Sequence, residues 1–373
     1  MDVRAGPHGA APGGRGRGRT VTAGPAAPAV AEPDAPPAAA RRARVRRAAV
    51  VLVVLLAGSV TASMLVGAGM LAPATVADAL FGDGPVTPES LVVTDVRLPR
   101  TVLALLAGAA LGVAGVLAQG MTRNPIAEPG LLGLNTGAAL AVVLGIGVFG
   151  VSTLTGYVWF GFLGAALAAV VVGGVAGVGR SSRTVSPAAL ALAGAAVAAG
   201  LGSVITVFLL TNPTLFDDYR FWQVGSVAGR DLSIAAQAAP FVVAGLALAL
   251  TCGQRLDALA LGDDVARSFG RRPGADRLVC GLALVLLAGT ATAAAGPIAF
   301  VGLAVPHVLR ALTGPGHRTL LPLAVLAGPS LLLLADVLGR VVVPPAEVQA
   351  GVVTAVVGVP LFVALVRRRK FVR

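Results

Sequence analysis

The chain has 373 residues, of which 56% are hydrophobic and only 12% charged, and its formal net charge is +12. A soluble domain carries about 25% charged residues, so there are too few charges here to coat the surface of one or two soluble domains. Two cysteines (Cys252, Cys280) and three histidines (His8, His307, His317) exclude a disulfide scaffold and a zinc ribbon and argue against a His-rich metal site. The positive excess alone suggests a nucleic-acid binder. A mean hydropathy of +0.86 argues against one, so the position of the positive residues decides.

Residues 1–47 form a Gly/Pro/Ala/Arg stretch with almost no large apolar side chains. Nothing there offsets chain entropy, so the stretch is predicted to be a disordered basic tail. It has no apolar core segment before residue 48, and the apolar segment that follows lacks a clear cleavage site, so no cleaved secretory signal is expected. From Ala48 onward, apolar stretches alternate with short polar breaks. A membrane helix needs about 20 predominantly apolar residues, and ten candidates follow in order: 48–71, 98–119, 131–150, 157–179, 187–210, 234–252, 276–295, 298–312, 319–340 and 347–366. The eighth is short and carries Pro306, which suits a broken or re-entrant helix packed inside protein. The expected architecture is an all-α polytopic membrane protein. Its ten-helix domain covers 48–366, and a basic tail covers 367–373.

With the N-terminus inside, 24 of the Lys and Arg residues fall on the inner side. Five fall outside: Arg97, Arg100, Arg220, Arg230 and Arg340. That asymmetry places both termini in the cytoplasm. Eleven of the twelve net charges lie in the two tails, so the basic character is a topology signal.

Gly108 and Gly112 form a GxxxG, as do Gly173 and Gly177, and such pairs let lipid-embedded helices approach closely. Asp336 is the only carboxylate inside a predicted span, Asp276 and Glu347 being the first residues of theirs, and it lies four residues before Arg340, where an i,i+4 pair is available. His307, beside Pro306, reads as a packed or capping histidine rather than a proton relay. An ion-coupled transporter is expected to hold ionisable groups near the midplane, and this poverty of charge points to another energy source. The chain has no GxxxxGK[ST] phosphate loop, so it is not expected to hydrolyse ATP itself.

The longest inner connection follows the sixth span. Asp263 and Asp264 suit the start of a short helix, Arg267 its other end and Gly270 its stop. Leu259, Ala266 and Phe269 offer apolar contacts. Such a helix fits a docking element for a partner, and an ordinary surface helix fits equally.

Four stretches together resemble the permeases of ABC importers for iron–siderophore complexes, haem and cobalamin, the FecCD family. They are Arg97–Leu98–Pro99–Arg100–Thr101 running to Gln119–Gly120, and Arg123–Asn124–Pro125–Ile126–Ala127–Glu128–Pro129–Gly130–Leu131–Leu132–Gly133. The third is Leu259–Ala260–Leu261–Gly262 with Ala266–Arg267. The last is Gly296–Pro297–Ile298–Ala299–Phe300–Val301–Gly302–Leu303 with Pro306–His307, followed by Leu334–Ala335–Asp336. The resemblance implies a type II ABC importer permease fold. It also implies a second permease subunit, two cytoplasmic ATPase subunits that bind ATP and Mg, and an extracytoplasmic substrate-binding lipoprotein. No nucleic acid and no cofactor in this chain are implied, and the metal is cargo.

By the same resemblance, segment 257–270 matches the coupling helices, with Leu259, Leu261, Gly262, Asp263, Asp264, Ala266, Arg267 and Gly270 as ATPase-facing residues. Arg97, Arg100 and Arg340 match arginines that pair with glutamates of the binding protein. Arg123–Gly133 reads as an inner structural turn that braces the ATPase interface. Tyr219 and Trp222, in the outer loop Phe216–Asp231, suit either an outer gate or interfacial anchoring. The stretch Phe221–Trp222–Gln223–Val224–Gly225–Ser226 is more similar to the catecholate-siderophore branch than to the cobalamin branch. The implied function is import of whole ferric siderophores across the cytoplasmic membrane by alternating access. Cobalamin or haem import is the alternative within the family. An ion-coupled transporter and a receptor without transport are the alternatives outside it.

Overall fold

A computed structural model describes residues 38–67, 69–82, 85–151, 153–177 and 187–369, and among them every regular element is a helix. In chain order these are α1 (Ala38–Leu65), α2 (Pro73–Phe81), α3 (Pro88–Leu91), α4 (Leu98–Thr122), α5 (Leu134–Gly147), α6 (Leu154–Gly177), α7 (Pro187–Thr211) and α8 (Pro213–Gln223). There follow α9 (Leu232–Thr251), α10 (Gly253–Ala260), α11 (Asp263–Ser268), α12 (Pro273–Ala295), α13 (Val301–Thr313), α14 (His317–Val342) and α15 (Ala350–Arg369). A π-helical turn (Val92–Arg97) leads into α4, and a 3-10 turn (Pro129–Leu132) precedes α5.

Each of the ten predicted spans has its helix. Among the described residues, seven helices are long and apolar enough to cross a membrane, while α5, α13 and the Ala350–Pro360 part of α15 are shorter. One boundary is corrected. The first helix begins at Ala38, so residues 38–47, expected in the disordered tail, are helical. Ala and Arg are strong helix formers, and extending an existing helix costs no new nucleus. Residues 1–37 and 370–373, and the inner loop 178–186 with Arg180 and Arg183, lie outside the described residues.

The bundle is organised around α4, in which every residue from Ala107 to Thr122 is buried. Small residues make this possible. A Cβ at Gly108 would lie 2.6 Å from the Pro329 Cα of α14, and one at Gly112 would lie 3.1 Å from the Gly328 Cα. A Cβ at Gly115 would overlap the Gly302 carbonyl of α13. The predicted GxxxG of α4 is therefore a helix–helix seam. Among the described residues, nothing lies within 4 Å of the Cβ position of Gly173 in α6.

Two segments turn inside the bundle. An α5 of 14 residues is about 21 Å long at 1.5 Å per residue, short of an apolar core of about 30 Å. The segment before it supplies the missing depth. Arg123 (φ 50°) ends α4 in the left-handed region, and the chain then re-enters the bundle. The Glu128 carboxylate accepts a 2.6 Å hydrogen bond from the Phe300 backbone N–H. Phe300 (φ 69°) is the N-cap of α13, so the carboxylate satisfies a donor that a helix start leaves unpaired. From the opposite end, the Ser226 N–H donates to the Ala295 carbonyl at 2.8 Å. The α12–α13 break is thus met from both sides and lies deep in the protein. Arg123–Gly133 thus starts at the inner end, where Arg123 and Ile126 are exposed, and runs inward to Glu128 at the start of α13.

Candidate functional site

Charged side chains collect at the two ends of the bundle. At the end that the charge count places outside, α1 and α14 finish and α4 begins. Arg97 donates to the carbonyls of Met64 and Gly69, each at 2.6 Å. Arg100 grips both Asp336 oxygens through Nε at 2.9 Å and reaches Glu347 through Nη1 at 2.6 Å. Arg340 pairs with Asp336 one helical turn earlier and donates to the Ser63 and Val66 carbonyls at 2.8 and 3.1 Å. The i,i+4 pair read from the sequence is therefore present.

Arg97, Arg100 and Arg340 are only 5%, 4% and 2% exposed. The resemblance implies that they point outward to a partner, but in this structure they point inward. For Arg100 and Arg340 the reason is the fully buried Asp336, since a carboxylate out of water needs cations and hydrogen bonds around it, while Arg97 is held by the Met64 and Gly69 carbonyls. Only Glu347, with 37% of its side chain exposed, carries the network to the surface. Tyr219 and Trp222 are buried as well, with ring centroids 6.0 Å apart, so they do not anchor the protein in a membrane interface.

At the opposite end the expected docking segment folds as two short helices. Gly262 (φ 106°) separates α10 from α11, and Gly270 (φ 71°) stops the second. Both are left-handed positions that favour glycine. Asp263 opens α11 and takes a two-pronged bond from Arg277 at 2.7 and 2.9 Å. Arg123 reaches the same carboxylate at 2.5 Å and the Leu259 carbonyl at 2.7 Å. Its guanidinium thus ties the end of α4 to α10 and α11, and Arg277 adds α12. These bonds, that of Arg277 first, hold the Asp263 carboxyl below the usual carboxylate range. Nearby, Asp257 accepts from the His317 backbone N–H and faces its ring Nδ1, both at 2.8 Å, which joins α10 to α14.

Among the residues expected to face an ATPase, Leu259 and Ala266 are buried and serve the bundle. Asp263 is spent on the clasp. Leu261 and Phe269 are 62% and 70% exposed, and Val265, which the sequence reading passed over, joins them. Asp264 and Arg267 pair at 2.6 Å on the exposed side of α11. The open face of α11 is thus a small apolar patch with one ion pair. Sequence reasoning also missed Arg123 and Arg277 as partners of Asp263. Arg277 was visible only as an inner-side arginine counted for topology, and Arg123 only as the start of the turn read to brace the ATPase interface.

His307 is buried, and its ring Nδ1 lies 2.8 Å from the Leu303 carbonyl one turn earlier, as a packed histidine would be.

Residues 44–368 match the FecCD transport family. The chain is 44% identical over 319 residues to the ferric enterobactin transport system permease protein FepD of Escherichia coli (strain K12), covering 85% of this chain and 94% of that protein. It is 40% identical to the probable siderophore transport system permease protein YfiZ of Bacillus subtilis (strain 168), covering 76% of this chain and 84% of that one. A solved metal-chelate type ABC transporter in an inward-facing conformation superposes with a TM-score of 0.75 at 27% identity, covering 87% of this chain and 99% of that chain.

Proposed function

The chain belongs to the FecCD transport family, and from that premise we propose that it is the permease subunit of an ATP-driven importer of ferric siderophores in the cytoplasmic membrane. The chain supplies the path and no catalysis of its own. The FepD and YfiZ relatives are named for ferric enterobactin and siderophore transport, and this supports an iron chelate as cargo, carried whole.

The observation that carries the mechanism is the clasp at the inner end. The open face of α11, with Leu261, Val265, Phe269, Asp264 and Arg267, is where a cytoplasmic ATPase would sit. Asp263 behind that face is bonded to Arg123 and Arg277, which belong to the ends of α4 and α12. A push on α11 therefore reaches α4, the most buried helix, without a flexible joint. ATP and Mg belong to the ATPase subunits. A second copy of this chain or a related permease completes the path.

At the outer end, docking of a substrate-binding protein fits the arginine network. Arg100 is placed to exchange Glu347 for a partner carboxylate, while Arg97 and Arg340 hold the framework from behind. The decisive experiment is uptake of radio-iron-labelled catecholate chelate into proteoliposomes that hold the full complex. ATP-dependent uptake is expected. Robust import of cobalamin with no chelate uptake would overturn the substrate reading. Glu347→Gln, which leaves Arg100 its buried bond to Asp336 but frees its outer one, should tighten binding-protein association and leave ATPase assembly intact.

A further inference from the structure

At its inner end α1 carries Arg41, Arg42, Arg44, Arg46 and Arg47, on a helix that continues without a break into the apolar span. We propose that these arginines form a collar that binds the phosphate headgroups of anionic phospholipids in the inner leaflet.

Three observations carry the site, and the first is depth. From Ala48 to Leu65 the helix rises about 27 Å, close to the apolar core of about 30 Å. The collar therefore falls at the level of the headgroups. The turn between α13 and α14 stands at the same level, since a Cβ at Gly316 would lie 2.8 Å from the Arg41 Nη2. The second is direction. At about 100° per residue, Arg41 shares the side of α1 that holds the buried Ala48, Leu52 and Ser59, and it lies against the bundle. Arg46 and Arg47 fall on the opposite side, in line with Val50, Val51, Val53 and Val54, each more than half exposed. Arg42 and Arg44 flank that side. Four cations thus cover more than about half of the helix circumference. A docked protein meets one face of a helix, whereas lipid surrounds it. The third is charge. All five arginines are exposed, and none has a hydrogen bond or ion pair among the described residues. No acidic residue lies in α1, and the next one along the chain is Asp78, beyond its outer end. Asp257, at the α13–α14 turn, is taken by His317. Arg42 and Arg46 stand at i,i+4, and Arg44 stands at i,i+3 from both Arg41 and Arg47. Like charges so spaced repel, and they crowd the positive end of the helix dipole. An anionic surface relieves both costs, as it does for other basic segments beside a span.

The site depends on neither cargo nor ATPase, so the test uses the full chain alone in detergent. Native mass spectrometry counts the lipids retained from an equimolar mixture of dioleoyl phosphatidylglycerol and dioleoyl phosphatidylcholine. Preferential retention of phosphatidylglycerol is expected. Arg42→Gln, Arg44→Gln, Arg46→Gln and Arg47→Gln combined should cut the preference about tenfold or more. The same four positions changed Arg→Lys keep the charge and should keep most of it. Arg220→Gln, at the outer end, should leave it unchanged. Should the combined glutamine variant fail to fold, Arg46→Gln with Arg47→Gln, on the valine side, should still lower the preference severalfold. Sodium chloride should erode the preference. Inorganic phosphate at constant ionic strength should not, because it has no acyl chains to hold it at that depth. Displacement of the lipid by inorganic phosphate would make this a free-anion site and overturn the lipid assignment. An undiminished preference in the glutamine variants overturns the collar, and loss of ATPase assembly in those variants would then give the arginines to that partner.

Discussion

The two ends of the bundle are built from the same pieces, arginines and carboxylates, and hold them in opposite ways. At the outer end Asp336 has no exposure, and Arg100 and Arg340 close on it from α4 and α14. At the inner end Asp263 keeps 19% of its side chain exposed and Arg123 keeps 34%. Ions buried together cannot part without leaving a bare charge, whereas ions at the edge of water can exchange partners cheaply. The outer network therefore behaves as a fixed frame. The inner clasp lies nearer to water yet is tied by Arg123 and by the mostly buried Arg277, so it passes motion on as one piece.

The sharpest way to break this contrast is to neutralise the outer carboxylate. Asp336→Asn leaves Arg100 and Arg340 buried around a neutral amide. A loss of about 3–5 kcal/mol is expected, read as a large drop in melting temperature and yield of the purified chain. If the loss is no larger than for the matching change at Asp263, the outer end is not a frame.

Glu128 offers a point between the ends. Glu128→Ala removes the acceptor for the Phe300 N–H, where α13 starts inside the protein. A loss of about 1–3 kcal/mol is expected, and Glu128→Gln, which keeps an acceptor, should lose less. Thermal unfolding of both variants checks the order. An alanine variant as stable as the parent would show that the inward-running segment is held by packing alone.

At the inner end, Asp263→Asn should cost about 1 kcal/mol or less in stability and reduce import per ATP hydrolysed severalfold. The pH sign follows from the depressed Asp263 pKa. Its contribution is present above the ordinary carboxylate range of about 4 and is lost as pH falls through the lower folded value. Coupling due to the clasp should therefore be unchanged from neutral pH down to about 5. The Asp263→Asn variant should lack the acid-side loss of stability that the parent shows. Parallel uptake and ATPase assays, with unfolding followed against pH, check both halves.

The helices themselves were readable in the sequence, because length and apolar content are local properties. So were the stops at Gly262 and Gly270, where a left-handed backbone favours one residue type. Direction was not readable. Arg100 and Arg340 sit at helix ends that suit an outward role, and only the fold shows Asp336 between them. Gly108 and Gly173 begin the same motif, but one meets Pro329 and the other meets nothing among the described residues, since the partner helix is remote in sequence. The depth of Glu128 was hidden for a related reason. Its loop is polar and proline-rich like a surface turn, and only the shortness of α5 and the break before α13 draw it inward.

The smallest effect on stability should come from the most exposed pair. Asp264 has 98% of its side chain in solvent and bonds only Arg267, three residues on. Asp264→Asn should leave the melting temperature unchanged, because water replaces such a pair at almost no cost. Its value lies in a second measurement. If the open face of α11 seats an ATPase, the charge-reversing Asp264→Arg should weaken assembly with the ATPase subunits, and high salt should blunt the difference. A change at Asp263 alters what stands behind α11, and a change at Asp264 alters only what it presents. Assembly lost in Asp264→Arg but kept in Asp263→Asn would separate docking from relay. Assembly kept in Asp264→Arg, even at low salt, would mean that this face of α11 does not meet the ATPase.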